Sequence, residues 1–169
     1  VRVVSGFGAS KHSGDVNVST AGAGTAGVSG AMRLDTGAST DGGSGLVEMQ
    51  TGGAVGGSAG SMLLETGAST GGSGGDITVR VGAGDAGDGG RVVVEAGTTT
   101  SMYGLGGDVL VTAGASQLGT GGGVRVVSGF GASKHSGDVN VSTAGAGTAG
   151  VSGAMRLDTG ASTDGGSGL

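Results

Sequence analysis

The densest group of reactive side chains is Ser10-Lys11-His12-Ser13-Gly14-Asp15, which brings together the hydroxyl, imidazole and carboxylate of a hydrolytic triad. A triad works only when base, nucleophile and orienting carboxylate are held in fixed mutual geometry by separate elements. Six neighbours in one glycine-containing segment do not provide that, so the segment reads as a polar turn. The other histidine, His135, belongs to an exact copy of the same segment. Asn17-Val18-Ser19 and its copy Asn140-Val141-Ser142 match the acceptor pattern for N-glycosylation, a modification that needs an exposed asparagine. The chain has no cysteine, which excludes disulfides and thiolate metal ligands within it.

One further stretch, Gly71-Gly72-Ser73-Gly74-Gly75-Asp76, resembles the start of the calcium-binding nonapeptide of RTX proteins. That resemblance implies coils wound around calcium, but it covers one place only, and Thr78 fills the slot that the pattern reserves for an apolar residue. Asp15, Asp76 and Asp108 share a position in the repeat described below, whereas Ala31, Leu46, Ser61, Arg91 and Gly123 fill it elsewhere. Calcium takes six or more oxygens, and one aspartate per repeat does not supply them. The expectation is therefore no catalytic residue, no cofactor and no metal.

Positioning of all these groups falls to one phrase, clearest at Asp76-Ile77-Thr78-Val79-Arg80-Val81-Gly82. Its first apolar residue recurs at Val1, Val16, Met32, Val47, Met62, Ile77, Val92, Val109, Val124, Val139 and Met155, in steps of 15 apart from one of 16, which returns in the copied stretch between Val139 and Met155, and one of 17. Residues 1–46 reappear unchanged as 124–169, a long period of 123 residues that holds eight short repeats, and eleven short repeats fill the chain. The organisation is thus 1–123 as one long repeat and 124–169 as the start of the next. Because the chain opens on Val1 without a signal-like segment, it reads as a piece of a longer array.

The second apolar position lies two residues after the first, at Val3, Val18, Leu34, Met49, Leu64, Val79, Val94 and Val111, so both fall on one face of a strand. The next residue of that parity is small: Ser5, Thr20, Thr36, Thr51, Thr66, Val81, Ala96 and Ala113. Helix is disfavoured, because glycine pairs interrupt every segment and each glycine costs a helix about 1 kcal/mol relative to alanine. Fifteen residues are too few for a βαβ unit. The pattern predicts an all-β chain, a parallel β-solenoid (β-helix) of eleven coils of about 15 residues, with glycine-rich corners at stretches such as Gly71 to Gly75 and Gly121 to Gly123. Such a stack rises about 4.8 Å per coil, about 50 Å in all. The step of 17 falls at Ser101-Met102-Tyr103-Gly104-Leu105, where a small loop is expected to protrude.

In that arrangement Arg33 lies beside Glu48, and Arg80 between Glu65 and Glu95, as pairs between coils. Leu63, Val93 and Leu110 stand in the outward row and mark a seam for lateral contact.

Composition bounds the function. With 46 glycines in 169 residues and aromatics at 2%, no single segment could form a core, yet a net charge of only -5 and regular apolar spacing oppose a reading of disorder. An acidic balance of 13 Asp and Glu against eight Lys and Arg, with no basic patch, argues against nucleic acid, and no apolar run is long enough to insert in a membrane. Period and composition together resemble glycine-rich β-solenoid tandem-repeat proteins of extracellular fibres and cell surfaces. The resemblance implies an extracellular or cell-surface location and a non-catalytic structural segment of a filament, fibre or adhesive protein. Its partner is itself, by end-to-end continuation and lateral bundling, with glycans as a further association. Ice binding or polysaccharide binding by the same scaffold is the alternative. Thr20, Thr36, Thr51 and Thr66 have inward parity, which weakens the ice version, and the scarcity of aromatics weakens the sugar version.

Overall fold

The computed structural model describes residues 1–9, 12–166 and 168, and among them there is neither helix nor strand. The all-β parallel β-solenoid expected from the sequence is therefore overturned. Its interior column is missing: Val79, Val94 and Val111 are 73%, 74% and 71% exposed, and no described residue is buried. The accessible surface is 16887 Å² for 15.3 kDa. A globular protein of that mass exposes about 7,000 Å², and its unfolded chain about 22,000 Å². The rod held up by hydrogen bonds from coil to coil falls with the column.

What the chain forms instead is a series of local closures, one per repeat. In each, the residue four after the first apolar position comes back against a glycine placed two before the next phrase. The pairs are Ser5 with Gly14, Thr20 with Gly30, Thr36 with Gly45, Thr51 with Gly60 and Thr66 with Gly75, then Val81 with Gly90, Ala96 with Gly107, Ala113 with Gly122, Ser128 with Gly137, Thr143 with Gly153 and Thr159 with Gly168. The first five loops lie in one compact unit, Val1–Arg80, and the other six in a second, Val81–Leu169. Between neck and neck the chain bends at each loop tip, as at 40–42, 55–57, 85–87 and 117–119.

Space requires glycine at the Gly45, Gly90 and Gly107 necks, where an added side-chain carbon would meet an atom closer than 3.4 Å. A side-chain carbon on Gly90 would sit 2.6 Å from Val81 Cγ1, and one on Gly107 would sit 3.2 Å from the Gly97 nitrogen. Positive φ, which together with close approach of the backbone is a reason to expect glycine at corners, occurs only at Gly42, Gly56 and Gly87 among the described residues, all at loop tips.

All three departures from the 15-residue step lie inside loops. Thr20 and Gly30 are ten apart, as are their copies Thr143 and Gly153, and Ala96 and Gly107 eleven, against nine in the other loops, so the phrases keep constant length and the tips absorb the extra residues. The expected protrusion at Ser101 to Leu105 is there. A turn at 102–103 is closed by the Gly104 amide donating to the Ser101 carbonyl at 3.3 Å, and Met102, Tyr103 and Leu105 project into solvent.

Solenoid coils fail to stack in the single chain for an energetic reason. Each phrase offers two or three apolar side chains, and ordering a backbone this rich in glycine costs the most entropy per residue of any composition. With so few apolar side chains per phrase and almost no aromatic bulk, nothing in one chain offsets that cost, and only short-range closure survives.

Candidate functional site

The loop neck is the one feature that every repeat builds, and its chemistry depends on one side chain. In four loops the neck glycine donates its N–H to a carbonyl across the neck: Gly14 to Gly6 at 3.0 Å, Gly107 to Gly97 at 2.9 Å, Gly122 to Gly114 at 2.9 Å and Gly137 to Gly129 at 3.0 Å. The facing neck residues there are Ser5, Ala96, Ala113 and Ser128, and these four are only part-exposed. In the seven other loops the neck residue is threonine or valine, and that bond is not made. A second substituent on Cβ is what separates the two groups. The Thr36 methyl lies 3.3 Å from where a Gly45 side-chain carbon would be, and the equivalent distance for Thr20 and Gly30 is 3.6 Å, so branched carbons occupy the gap that the backbone bond needs. The acceptor side does not decide it, because Gly37, Gly52, Gly67 and Gly82 follow open necks just as Gly114 follows a closed one.

At Thr36 and Thr66 the hydroxyl replaces the backbone bond in part, Oγ1 donating to the carbonyls of Gly45 at 3.3 Å and Gly75 at 3.2 Å. These hydroxyls are thus engaged within their own loops and do not form the flat outward threonine array that ice binding calls for. Loop tips use serine as a local acceptor: Ser116 Oγ from the Gly119 amide at 2.9 Å and Ser162 Oγ from the Gly165 amide at 3.0 Å.

The residues singled out by sequence distribute as follows. Ser10 and Lys11 lie outside the described residues. In the copy of that segment the chain bends at 132–134 so tightly that a side chain on Gly131 would collide with the His135 carbonyl. His12, Asp15, His135 and Asp138 are all exposed. Asn17 and Asn140 are exposed, as are Ser19 and Ser142. Around Gly71 to Asp76 the structure forms the Thr66 neck, and no group of acidic or histidine side chains close enough to hold a metal ion occurs among the described residues. No pocket forms, and no helix is long and apolar enough to cross a membrane among those residues.

Leu63, Val93 and Leu110 are 81%, 67% and 87% exposed, so the three outward apolar positions do face solvent. The residues meant to face inward, such as Met62, Leu64, Val92 and Val94, are exposed as well. The pairs Arg33 with Glu48 and Arg80 with Glu65 or Glu95 are not made. The one ion pair among the described residues joins Arg156 Nε to Asp158 Oδ2, two positions apart on one side of the phrase.

Sequence reasoning missed the neck, although its signal is present. All eleven repeats carry glycine two places before the next phrase position, the one invariant glycine among many variable ones. No protein family matches the chain, and no curated protein or solved structure is significantly similar to it.

Proposed function

We propose that this chain is a structural, non-catalytic repeat segment of an extracellular filament, fibre or adhesive surface protein, and that it works by self-association. One observation carries the reading: none of the apolar side chains that recur in every repeat is buried within the chain. Full burial of a Val or Leu side chain stabilises by about 1.5–3 kcal/mol, and here that stabilisation is left for contact with other copies. Exact repetition of 46 residues at a spacing of 123 supports the same reading, since it presents identical contacts twice along the sequence. The exposed acceptor asparagines, Asn17 and Asn140, are compatible with a secreted and glycosylated protein.

Cohesion in such a material comes from contacts between chains, with the loops as compliant spacers. Sedimentation velocity over a hundredfold range of concentration tests this: mass rising with concentration supports it. A Leu63→Asp, Val93→Asp, Leu110→Asp variant is expected to stay monomeric across the range. A wild-type chain that remains monomeric at the highest concentration contradicts the proposal.

A further inference from the structure

The phrases carry their charges in a pattern that one parallel alignment of a second copy satisfies more fully than the others. Three positions of the phrase bear charge: the residue before the first apolar one, the residue after it, and the residue three after it. Down the repeats the first of these reads Asp76, Arg91, Asp108; the second reads Arg33, Glu48; the third reads Glu65, Arg80, Glu95. Within the chain none of these meets an opposite charge, since Arg156 with Asp158 is the one ion pair among the described residues. The backbone amides of the phrases also lack ladder partners, as no strand is formed there, and unpaired, β-prone backbone is a template for another chain.

We infer that the partner of this surface is a second copy of the chain, lying parallel and displaced by one short repeat. The inference rests on the self-association proposed above and adds its register. Displacement by one repeat opposes Arg33 to Glu48, Glu65 to Arg80, Arg80 to Glu95, Asp76 to Arg91 and Arg91 to Asp108, and sets no like charges against each other in the three positions. Alignment without displacement opposes every charge to itself. Displacement by two repeats opposes Arg2 to Arg33, Asp35 to Glu65, Glu65 to Glu95 and Asp76 to Asp108. Antiparallel alignment centred between neighbouring repeats, with Thr78 opposite Val93, sets Asp76 against Glu95 and Arg80 against Arg91. Exposed pairs add little affinity individually, but complementary charge fixes register and rejects misalignment. A displaced, head-to-tail contact does not close on itself, so each copy leaves a free repeat for the next and growth is open-ended.

Because the chain has no cysteine of its own, disulfide trapping reads the register directly. Full-length Thr78→Cys and Val93→Cys variants are mixed in equal amounts, allowed to assemble and treated with oxidised glutathione, which is reduced as the protein disulfide forms. The displaced alignment sets residue 78 of one copy against residue 93 of the next, so the mixed disulfide should exceed the one-half share given by random pairing. An Arg80→Glu variant should assemble more weakly, and adding Glu65→Arg and Glu95→Arg to it should restore assembly, because the alternation is then inverted but intact. Predominance of 78–78 and 93–93 disulfides, or a random mixture, in material that still sediments as an assembly overturns the displacement while leaving self-association standing. Monomers throughout overturn both.

Discussion

Exchanging the neck residue should open or close a loop, and the Ala113 neck shows by how much. There the Gly122 amide donates to the Gly114 carbonyl at 2.9 Å, with the Ala113 Cβ 3.5 Å from where a side-chain carbon on Gly122 would lie. Ala113→Val adds two methyl groups in that gap. The Val81 neck shows the consequence, a Cγ1 pressed against Gly90 and no bond across. One solvent-exposed backbone bond contributes about 1 kcal/mol, so its loss lowers the closed population about fivefold. The inverse substitution, Thr51→Ala, removes a branched neck that makes no hydroxyl bond, and it should let the Gly60 amide reach the Gly52 carbonyl. Amide hydrogen exchange in the assembled full-length chain reads both. Exchange at Gly122 should rise about fivefold in Ala113→Val, with Gly137 unchanged as an internal reference, and exchange at Gly60 should slow by a similar factor in Thr51→Ala. Equal rates at Gly122 in wild type and variant, or an unaltered Gly60, would refute the rule that a branched Cβ holds the neck open.

Other outcomes follow from the same geometry. Closing a nine-residue loop costs about 2 kcal/mol, more than one exposed hydrogen bond returns, so circular dichroism of the dilute chain should lack a sheet signature and gain one as concentration rises. Assembly should weaken between low and high salt, because exposed opposite charges are screened. Expression through a secretory pathway should add two glycans, and Asn17→Gln or Asn140→Gln should each remove one, visible as a stepwise fall in mass. Gly90→Ala should disturb its loop more than Gly60→Ala, since the added carbon meets Val81 Cγ1 at 2.6 Å in one and the Thr51 Cβ at 3.7 Å in the other.

Much of the organisation was legible before any coordinates. Regular spacing from Val1 to Met155 gave the eleven repeats, and the odd step of 17 located the turn at Tyr103. The solenoid was not legible, because a period of two states which side chains share a face and not whether anything covers that face. Val79, Val94 and Val111 fit an interior column equally well whether or not one exists. The necks were hidden for a different reason. With glycine at more than a quarter of positions, its presence at Gly45, Gly60 and Gly75 looked like more of the same. Only their contacts with Thr36, Thr51 and Thr66, nine residues back, single them out. Charge is a third case: the spacing sets Arg80 between Glu65 and Glu95 of its own chain, and among the described residues the structure makes no such pair.

The central claim is that the apolar face of the repeats, left bare in one chain, is covered by other copies. Sedimentation velocity of the intact chain, from about micromolar upward, tests it most directly. The account predicts a mass that climbs with concentration without settling at a dimer, and a return to monomer in the Leu63→Asp, Val93→Asp, Leu110→Asp variant. A single species of 15.3 kDa at every concentration would contradict it.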